Sequence, residues 1–274
     1  MGDTLLSTST GSFMFRDKIG GNTRDIRVHY AQPSSELISA SIVIAMHGLD
    51  RAAAAFRDVL VAEAERNGQI VLVPEFNQRQ FPGIYSYNFG DVRLPPPMGT
   101  VLPREQWSFG IVDRLFAYAR SAVKSERTTF HLLGNSAGAQ FVLRYLALNE
   151  APLVERAVAS NSGIYMLPDI SIDYPTGMGG IDLDEHDLRR FLTRRLVILV
   201  GEKDCDPHAP DLPRGAIAEA QGPHRLARGR WYLEHCEELA SRLGVELSWR
   251  HEVVPDAGHV SQAIFDRALD ILRE

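Results

Sequence analysis

The sequence has few cysteines, since only two occur among its 274 residues. This scarcity excludes a small secreted domain held together by disulfides. No hydrophobic run approaches the ~18–20 apolar residues that a membrane span requires. Basic residues are also outnumbered, because 29 lysines and arginines face 35 aspartates and glutamates and give a net charge of −6. A negative chain is poorly suited to nucleic acid or to an anionic membrane surface, so we expect neither as a partner.

The start of the sequence holds no basic segment followed by an apolar core, so no signal peptide is predicted. We therefore expect a soluble cytoplasmic protein. Hydrophobic residues make up 45% of the chain and charged residues 23%, which is typical of a globular protein and excludes wholesale disorder. No linker or change of composition divides the chain, so we predict a single domain over residues 1–274.

Short β-branched segments alternate with longer segments that have helical apolar spacing. The predicted strands are Ser12–Lys18, Arg24–Tyr30, Ala40–His47, Ile70–Phe76, Thr128–Gly134, Ala157–Ser160, Leu196–Gly201 and Glu246–Val254. The predicted helices are Ala52–Asn67, Glu105–Lys124, Ala137–Asn149, Arg228–Leu243 and Ser261–Leu272, the last with Ser261 as a candidate N-cap. The first two strands are expected to pair antiparallel. The rest of the alternation predicts a doubly wound, mostly parallel α/β sheet.

Three long loops follow predicted strands, at residues 77–104, 162–187 and 205–227. Ligands of such sheets bind beyond the carboxyl ends of the strands, so these loops are predicted to cover the functional edge. Loops of this length are usually functional, and aromatic content suits a pocket wall. The candidates for a substrate pocket are Phe81, Tyr85, Tyr87, Phe89 and Tyr165. An alternative is that the aromatic residues of loop 77–104 form the core of the loop itself.

The sequence Gly-Asn-Ser-Ala-Gly at residues 134–138 lies between a predicted strand and a predicted helix. A serine raised on a tight strand-to-helix turn needs small neighbours two residues away, and glycine supplies them. The helix that follows places N–H groups and a positive dipole where oxyanion charge develops. The pattern and its context predict that Ser136 is a nucleophile.

The sequence His-Gly-Leu-Asp at residues 47–50 ends an earlier buried strand. An oxyanion hole takes one N–H from the residue after the nucleophile and another from an early strand-to-helix loop. The backbone N–H groups of Ala137 and Leu49 fit these two places. His47 lies upstream of the serine, so we interpret it as a structural histidine.

A serine nucleophile needs a base, and the base needs a carboxylate that orients it. The order in such sheets is serine, acid and histidine. Asp204 is the first aspartate past the end of the last strong apolar strand and is the predicted acid, with Asp206 as its rival. His259, on the short loop between the final strand and the final helix, is the predicted base.

These motifs resemble those of the α/β-hydrolases with a serine nucleophile, most closely the esterases and polyhydroxyalkanoate-depolymerase-like members. Four of them occur in the family's order: HGLD at 47–50, GNSAG at 134–138, GEKD at 201–204 and DAGH at 256–259. The resemblance implies hydrolysis of esters through an acyl-enzyme, with Ser136, Asp204 and His259 as the triad. Secreted depolymerases usually carry a signal sequence, disulfides and a polymer-binding domain, and we expect none of these features in this sequence. We therefore expect a small or medium-sized ester as substrate rather than a polymer.

No cofactor is expected, because a serine, an acid and a histidine suffice for this chemistry. Residues 204–208 contain metal-ligand types, but ligands packed so densely rarely form a closed site, so we predict no metal. The arginines Arg214, Arg225, Arg228 and Arg230 are open to two interpretations: clamps that hold a loop to acidic side chains, which we favour, or partners of a substrate carboxylate. Three further alternatives remain: a thioesterase, lactonase or amidase with the same triad, a non-catalytic binding protein of the same fold, or a triad that uses Asp206.

Overall fold

The computed structural model describes residues 8–95 and 99–274. Its strands are β1 (Thr10–Ile19), β2 (Asn22–Ala31), β3 (Ser41–Met46), β4 (Gln69–Pro74), β5 (Phe130–Asn135), β6 (Val154–Ser160), β7 (Leu196–Gly201) and β8 (Trp249–Val254). Its α-helices are α1 (Ala53–Asn67), α2 (Ile111–Ala122), α3 (Ala137–Leu148), α4 (Glu185–Leu192), α5 (Ala216–Ala220), α6 (Arg225–Leu243) and α7 (Gln262–Arg273). Part of the predicted loop 77–104, residues 96–98, lies outside the described residues, as does the beginning of the chain, residues 1–7.

The eight strands form one sheet in the order β1-β2-β4-β3-β5-β6-β7-β8. β2 pairs antiparallel with β1 and with β4, whereas every pair from β4 across to β8 is parallel. This arrangement confirms the predicted doubly wound, mostly parallel sheet. Because β3 to β8 run in one direction, their carboxyl ends meet along one edge, which we call the carboxyl edge.

The inner strands are buried on both faces because helices cover both sides of the sheet. Successive residues of a strand point to opposite faces. In β3, Ile42 and Ile44 pack into the cluster that includes residues of α2, α3, α4 and α6, whereas Val43 and Ala45 pack into the cluster formed with α1 and α7. This two-sided burial explains why these strands are almost entirely apolar in sequence.

Two helices begin three or more residues away from their predicted starts. α2 begins at Ile111 and not at Glu105, because two 3₁₀ turns occupy most of the intervening residues. α6 begins at Arg225 and not at Arg228, because the side chain of His224 accepts a hydrogen bond from the third residue of the helix and caps it.

Two further helices lie partly or wholly where long loops are predicted. α4 overlaps the end of loop 162–187 and starts with a capping box between Asp184 and Asp187, which exchange side-chain and backbone hydrogen bonds. α5 lies inside loop 205–227. Ser261 occupies the N-cap position of α7, but its side chain makes no capping hydrogen bond. Within residues 8–95 and 99–274, none of the helices combines the length and apolar character needed to cross a bilayer.

Candidate active site

Ser136 lies on a sharp turn between β5 and α3, at the carboxyl edge of the sheet. Its backbone has φ 57° and ψ −114°, a strained conformation for a residue with a side chain. A Cβ atom at Gly134 would lie 2.2 Å from the carbonyl oxygen of Gly138, and one at Gly138 would lie 1.9 Å from that of Met46. Close backbone contacts therefore require glycine at both positions. The sequence analysis predicted glycine there for the same reason.

The turn is held in place by the neighbouring strand β6. The Ser136 N–H donates to the carbonyl of Ser160 at 2.9 Å. The Ser160 hydroxyl, fully buried, lies 3.0 Å from the carbonyl oxygen of Gly134 and 2.9 Å from the side-chain oxygen of Asn135. These contacts hold the backbone that leads into Ser136.

His259 lies beside Ser136, although 123 positions separate them in the chain. Nε2 of His259 is 3.2 Å from Oγ of Ser136, and Nδ1 is 2.8 Å from Oδ2 of Asp204. A carboxylate only accepts hydrogen bonds, so Nδ1 carries the proton and Nε2 is free to accept from the serine hydroxyl. The structure thus brings together the three side chains predicted as nucleophile, acid and base.

Asp204, and not Asp206, is the aspartate that contacts His259. The Asp204 N–H donates to the carbonyl of Gly201 at 3.0 Å, in a tight turn at the end of β7 that directs its side chain inward. The Asp204 side chain is only 6% exposed. Asp206 is exposed and its carboxylate accepts from the N–H of His208 at 2.8 Å. The geometry therefore separates the two aspartates that the sequence left as rivals.

A buried arginine completes the surroundings of Asp204. The Arg225 side chain is 2% exposed, and its Nη1 donates to Oδ1 of Asp204 at 3.3 Å. Its Nη2 lies 2.9 Å from Oδ2 of Asp211, a residue of loop 205–227. Oδ2 of Asp211 is also 3.6 Å from Nε2 of His259. Two carboxylates thus share one guanidinium, and both approach the imidazole.

Arg228 is also fully buried, and it binds backbone rather than acidic side chains. Its guanidinium donates to the carbonyls of Gly222, Gly163 and Pro213. Arg225 and Arg228 are therefore clamps within the protein, as favoured from the sequence, although the partners of Arg228 are carbonyls.

Asn161 is a residue that the sequence analysis missed. It follows β6, is fully buried and has φ 51°. Its Nδ2 donates to the carbonyl of His259 at 2.8 Å, and its Oδ1 accepts from the N–H of Gly201 at 3.0 Å. Asn161 therefore ties the histidine loop to the end of β7. The signal available in the sequence was an amide side chain directly after a strand at the carboxyl edge.

His47 is buried and holds two backbone segments together. Its Nδ1 lies 2.9 Å from the carbonyl oxygen of Gly48, and its Nε2 accepts from the N–H of Phe76 at 3.1 Å. Burial is the main cause that lowers the pKa of His47 to about 4, so the ring is neutral at pH 7. These contacts agree with a structural histidine.

The two N–H groups predicted for the oxyanion hole have no acceptor among the described residues. Leu49 lies on the wall of the cleft that contains Ser136 and is exposed. Ala137 is the first residue of α3, where N–H groups have no partner inside the helix. Neither N–H is used within the described residues, and their role in an oxyanion hole stays a prediction.

A cleft of about 390 Å³ opens beside Ser136 and His259. α1 and the start of α7 form much of its wall, and Phe56 and Phe265 make an edge-to-face contact there, with ring centroids 5.4 Å apart. The apolar side chains on its wall are Leu49, Ala52, Ala55, Phe56, Val59, Val260 and Phe265. Among the described residues, no group of three histidine, cysteine, aspartate or glutamate side chains is placed to hold a metal ion.

The aromatic side chains predicted for the pocket do not line this cleft. Phe81, Tyr87 and Tyr165 are fully buried, and Tyr85 and Phe89 pack edge-to-face on each other at 5.6 Å. These residues turn inward because the protein offers them large apolar partners. Phe81 lies in a group with His47, Phe76, Tyr87 and Phe141, which we call the aromatic cluster.

Comparison with known proteins relates this geometry to solved structures. No protein-family profile and no curated protein sequence matches the chain. Poly(aspartic acid) hydrolase-1 from Sphingomonas sp. KT-1 is 33% identical, with a TM-score of 0.91 over 97% of this chain and 99% of that chain. The poly(3-hydroxybutyrate) depolymerase LpqC from Bordetella parapertussis is 29% identical, with a TM-score of 0.90 over 98% of this chain and 91% of that chain.

A more distant structure shares the fold alone. S-formylglutathione hydrolase from Agrobacterium tumefaciens is 13% identical, with a TM-score of 0.60 over 96% of this chain and 92% of that chain. The likeness to the Sphingomonas enzyme, by contrast, extends to sequence and covers nearly the full length of both chains. The protein is therefore a hydrolase that belongs to the family of esterase-like enzymes with the α/β-hydrolase fold.

Proposed function

We propose that this protein is a serine hydrolase that cleaves carboxylic esters of small to medium size through an acyl-enzyme. One observation carries the proposal: Ser136, His259 and Asp204 form a continuous chain of contacts at 3.2 and 2.8 Å beside an apolar cleft. A nucleophile that contacts a base, which in turn contacts an orienting acid, is the arrangement that this chemistry needs.

The reaction starts when Nε2 of His259 accepts the proton of the Ser136 hydroxyl. The serine oxygen attacks the ester carbonyl and forms a tetrahedral intermediate, while Asp204 stabilises the imidazolium and keeps its orientation. The imidazolium then donates its proton to the leaving alcohol, and the acyl group remains on Ser136. A water molecule repeats the sequence and releases the carboxylic acid, so that one ester and one water give one acid and one alcohol.

The backbone N–H groups of Leu49 and Ala137 are the proposed donors to the oxyanion. Support comes from their freedom from other acceptors among the described residues and from their positions at the cleft and next to the nucleophile. Donors held in place before the reaction stabilise the developing charge without reorganisation.

The size and apolar wall of the cleft suit a small to medium-sized, uncharged acyl group. Its wall between α1 and α7 is apolar, and its volume of about 390 Å³ is that of a site for a small molecule. Poly(aspartic acid), the substrate named for one of the similar structures, is a polyanion. The cleft wall carries the carboxylates of Asp50 and Asp211 and, among the described residues, no lysine or arginine. This charge favours a neutral ester over a polyanion.

A fluorophosphonate probe tests the nucleophile directly. We expect one covalent adduct per chain, on the peptide that contains Ser136. The adduct and ester hydrolysis should be lost together in Ser136→Ala, with kcat falling by about 10⁴–10⁶. Ser121→Ala, at an exposed serine of α2, is the matched control and should keep both. Labelling at another serine, or an active Ser136→Ala, would contradict the mechanism.

A panel of matched substrates distinguishes an esterase from enzymes with the same machinery. The panel contains an ester, a thioester, a lactone and an amide that share one acyl group. We expect the highest kcat/KM for the ester. Faster turnover of another class would change the substrate assignment but keep the nucleophile, whereas binding without any turnover would indicate a non-catalytic member of the fold.

A further inference from the structure

The ionisable side chains of the cleft are unbalanced in charge. Apart from His259, they are the carboxylates of Asp50 and Asp211. Among the described residues on the cleft wall there is no lysine or arginine. The guanidinium nearest to them in the contacts described above, that of Arg225, is 2% exposed and already contacts both Asp204 and Asp211. A substrate in the cleft therefore meets negative charge.

Asp211 lies beside Nε2 of His259, the atom that donates a proton to the leaving group in the proposed reaction. Its Oδ2 is 3.6 Å from Nε2 of His259, and its side chain is 55% exposed. Partial burial raises the pKa of Asp211, but the hydrogen bond and charge of Arg225 outweigh burial and hold the pKa below its usual value. The carboxylate is therefore ionised at neutral pH while it faces solvent.

Asp50 contributes a second charge that no cation neutralises by contact within the described residues. It is exposed on the loop after β3, and its Oδ1 accepts from the N–H of Ala52 at 3.3 Å. The adjacent Arg51 turns its guanidinium away from the cleft, over the ring of Tyr87 and onto the carbonyls of Phe76 and Gly83. Asp50 thus places a second carboxylate on the wall of the cleft.

The chemistry of the proposed reaction determines which part of a substrate meets Asp211. Nε2 of His259 must donate a proton to the oxygen of the leaving alcohol, so the atoms bonded to that oxygen lie next to Nε2. A cationic group two carbons away from this oxygen can approach Asp211, whose Oδ2 is 3.6 Å from Nε2. Opposite charges about 5 Å apart in a partly solvated cleft change an equilibrium by about 5–20-fold.

We propose that the cleft selects esters of amino alcohols, whose alcohol part carries an ammonium group. Esters whose alcohol part is anionic are disfavoured. This inference rests on the proposed esterase function. Asp211 is the principal specificity-determining residue and Asp50 the secondary one. The apolar wall between α1 and α7 takes the acyl part in this arrangement.

Three butanoate esters of similar size test the proposal: butanoylcholine, its neutral isostere 3,3-dimethylbutyl butanoate, and 3-(butanoyloxy)propane-1-sulfonate. We expect kcat/KM at low ionic strength to be about 5–20-fold higher for the cation than for the neutral ester, with the anion lowest. In 0.5 M NaCl the ratio should fall by at least half, because salt screens exposed charges. A ratio of one or below in the wild-type protein would overturn the proposal.

Charge-removing variants assign the effect to its residues. Asp211→Asn should reduce the ratio of cationic to neutral ester most, Asp50→Asn should reduce it less, and the double variant should bring it close to one. Asp206→Asn, an exposed carboxylate of the same loop that does not line the cleft, is the matched control and should keep the wild-type ratio. An unchanged ratio in the double variant would also overturn the proposal.

The design separates this inference from the esterase function on which it rests. Each ratio compares two esters on one variant, so a general loss of activity cancels. If Ser136 reacts with the fluorophosphonate and the cationic and neutral esters are hydrolysed equally well, the proposed charge selectivity is wrong and the proposed esterase function is supported. If neither labelling nor hydrolysis occurs, the function itself fails.

Discussion

Two groups of aromatic side chains lie near Ser136: one is buried in the protein and the other lines the cleft. The aromatic cluster, to which loop 77–104 contributes Phe81 and Tyr87, is buried against Phe141 of α3. Among the described residues, the phenyl rings on the cleft wall are those of Phe56 and Phe265, which come from α1 and α7. The loop that is rich in aromatic residues therefore supports the helix behind the nucleophile, whereas two ordinary helices provide the surface open to a substrate.

The difference follows from the partners available to each segment. Tyr87 of loop 77–104 is fully buried against Phe141 of α3, and its hydroxyl donates to the carbonyl of His47. Buried aromatic rings contribute strongly to stability. α1 and α7 pack on each other and on the opposite face of the sheet, and their ends at the carboxyl edge remain uncovered. Aromatic content in this loop thus indicated burial rather than a place on the wall of the cleft beside Ser136.

After Ser136 itself, the largest effect is expected at the residue that orients the catalytic base, outside both aromatic groups. Asp204→Asn should lower kcat by about 10⁴, because an amide favours the wrong imidazole tautomer. Asp206→Asn is the control and should lose far less, since its carboxylate binds the N–H of His208. Steady-state kinetics with one neutral ester measure both. Equal losses in the two variants would contradict the assignment of the acid.

A smaller effect, on stability rather than turnover, is expected in the aromatic cluster. Phe81→Ala should lower the free energy of unfolding by about 3–5 kcal/mol, because it leaves a cavity among buried rings. Chemical denaturation measures this loss. The preference among acyl chain lengths should stay as in the wild-type protein. A changed preference would show that loop 77–104 reaches the substrate, and the contrast between the two groups would fail.

The pH dependence of stability sharpens the comparison further, because the aromatic cluster contains His47. Its pKa is lowered to about 4 in the folded protein, mainly by burial, so the unfolded chain binds a proton more readily below pH 6.5. The unfolding free energy linked to His47 should therefore fall by about 3 kcal/mol between pH 6.5 and pH 4.

Unfolding curves of the wild-type protein and His47→Asn, measured from pH 7 to pH 4, test this linkage. The gap between the two free energies should narrow as the pH falls, since only the wild-type protein has the buried imidazole. Phe81→Ala removes no titrating group from the same cluster, so its gap to the wild type should stay constant. A gap for His47→Asn that does not change with pH would rule out the linkage.

The smallest effect is expected on the wall of the cleft. Val59→Phe narrows the cleft at its apolar wall. The ratio of kcat/KM for long over short acyl chains should therefore fall about 5–30-fold, which corresponds to about 1–2 kcal/mol. Val61→Phe, on the same helix but not on the cleft wall, is the matched control and should keep the ratio. If both variants show the same ratio as the wild type, the acyl group lies elsewhere.

Much of the fold and the position of the candidate site could be predicted from local patterns. The strands of the parallel sheet are apolar on both faces, so their periodicity and order indicated a doubly wound sheet. Ser136, Asp204 and His259 each directly follow a strand or lie on a short loop after one. Parallel strands end at one edge, and therefore residues far apart in sequence could be expected to meet. The requirement for Gly134 and Gly138 was also local, because it arises from a single turn.

By itself, the sequence determined the sheet, its carboxyl edge, and the serine and histidine that meet there, because each depends on a pattern within a short segment. Only the tertiary structure decided which of Asp204 and Asp206 reaches His259, because that depends on the turn after β7. It also decided that Asn161 ties the histidine loop and that Arg225 joins two carboxylates. The cleft was decided in the same way, because its wall forms where α1 and α7 pack side by side. Each of these features joins segments distant in the chain, and no local pattern encodes such distances.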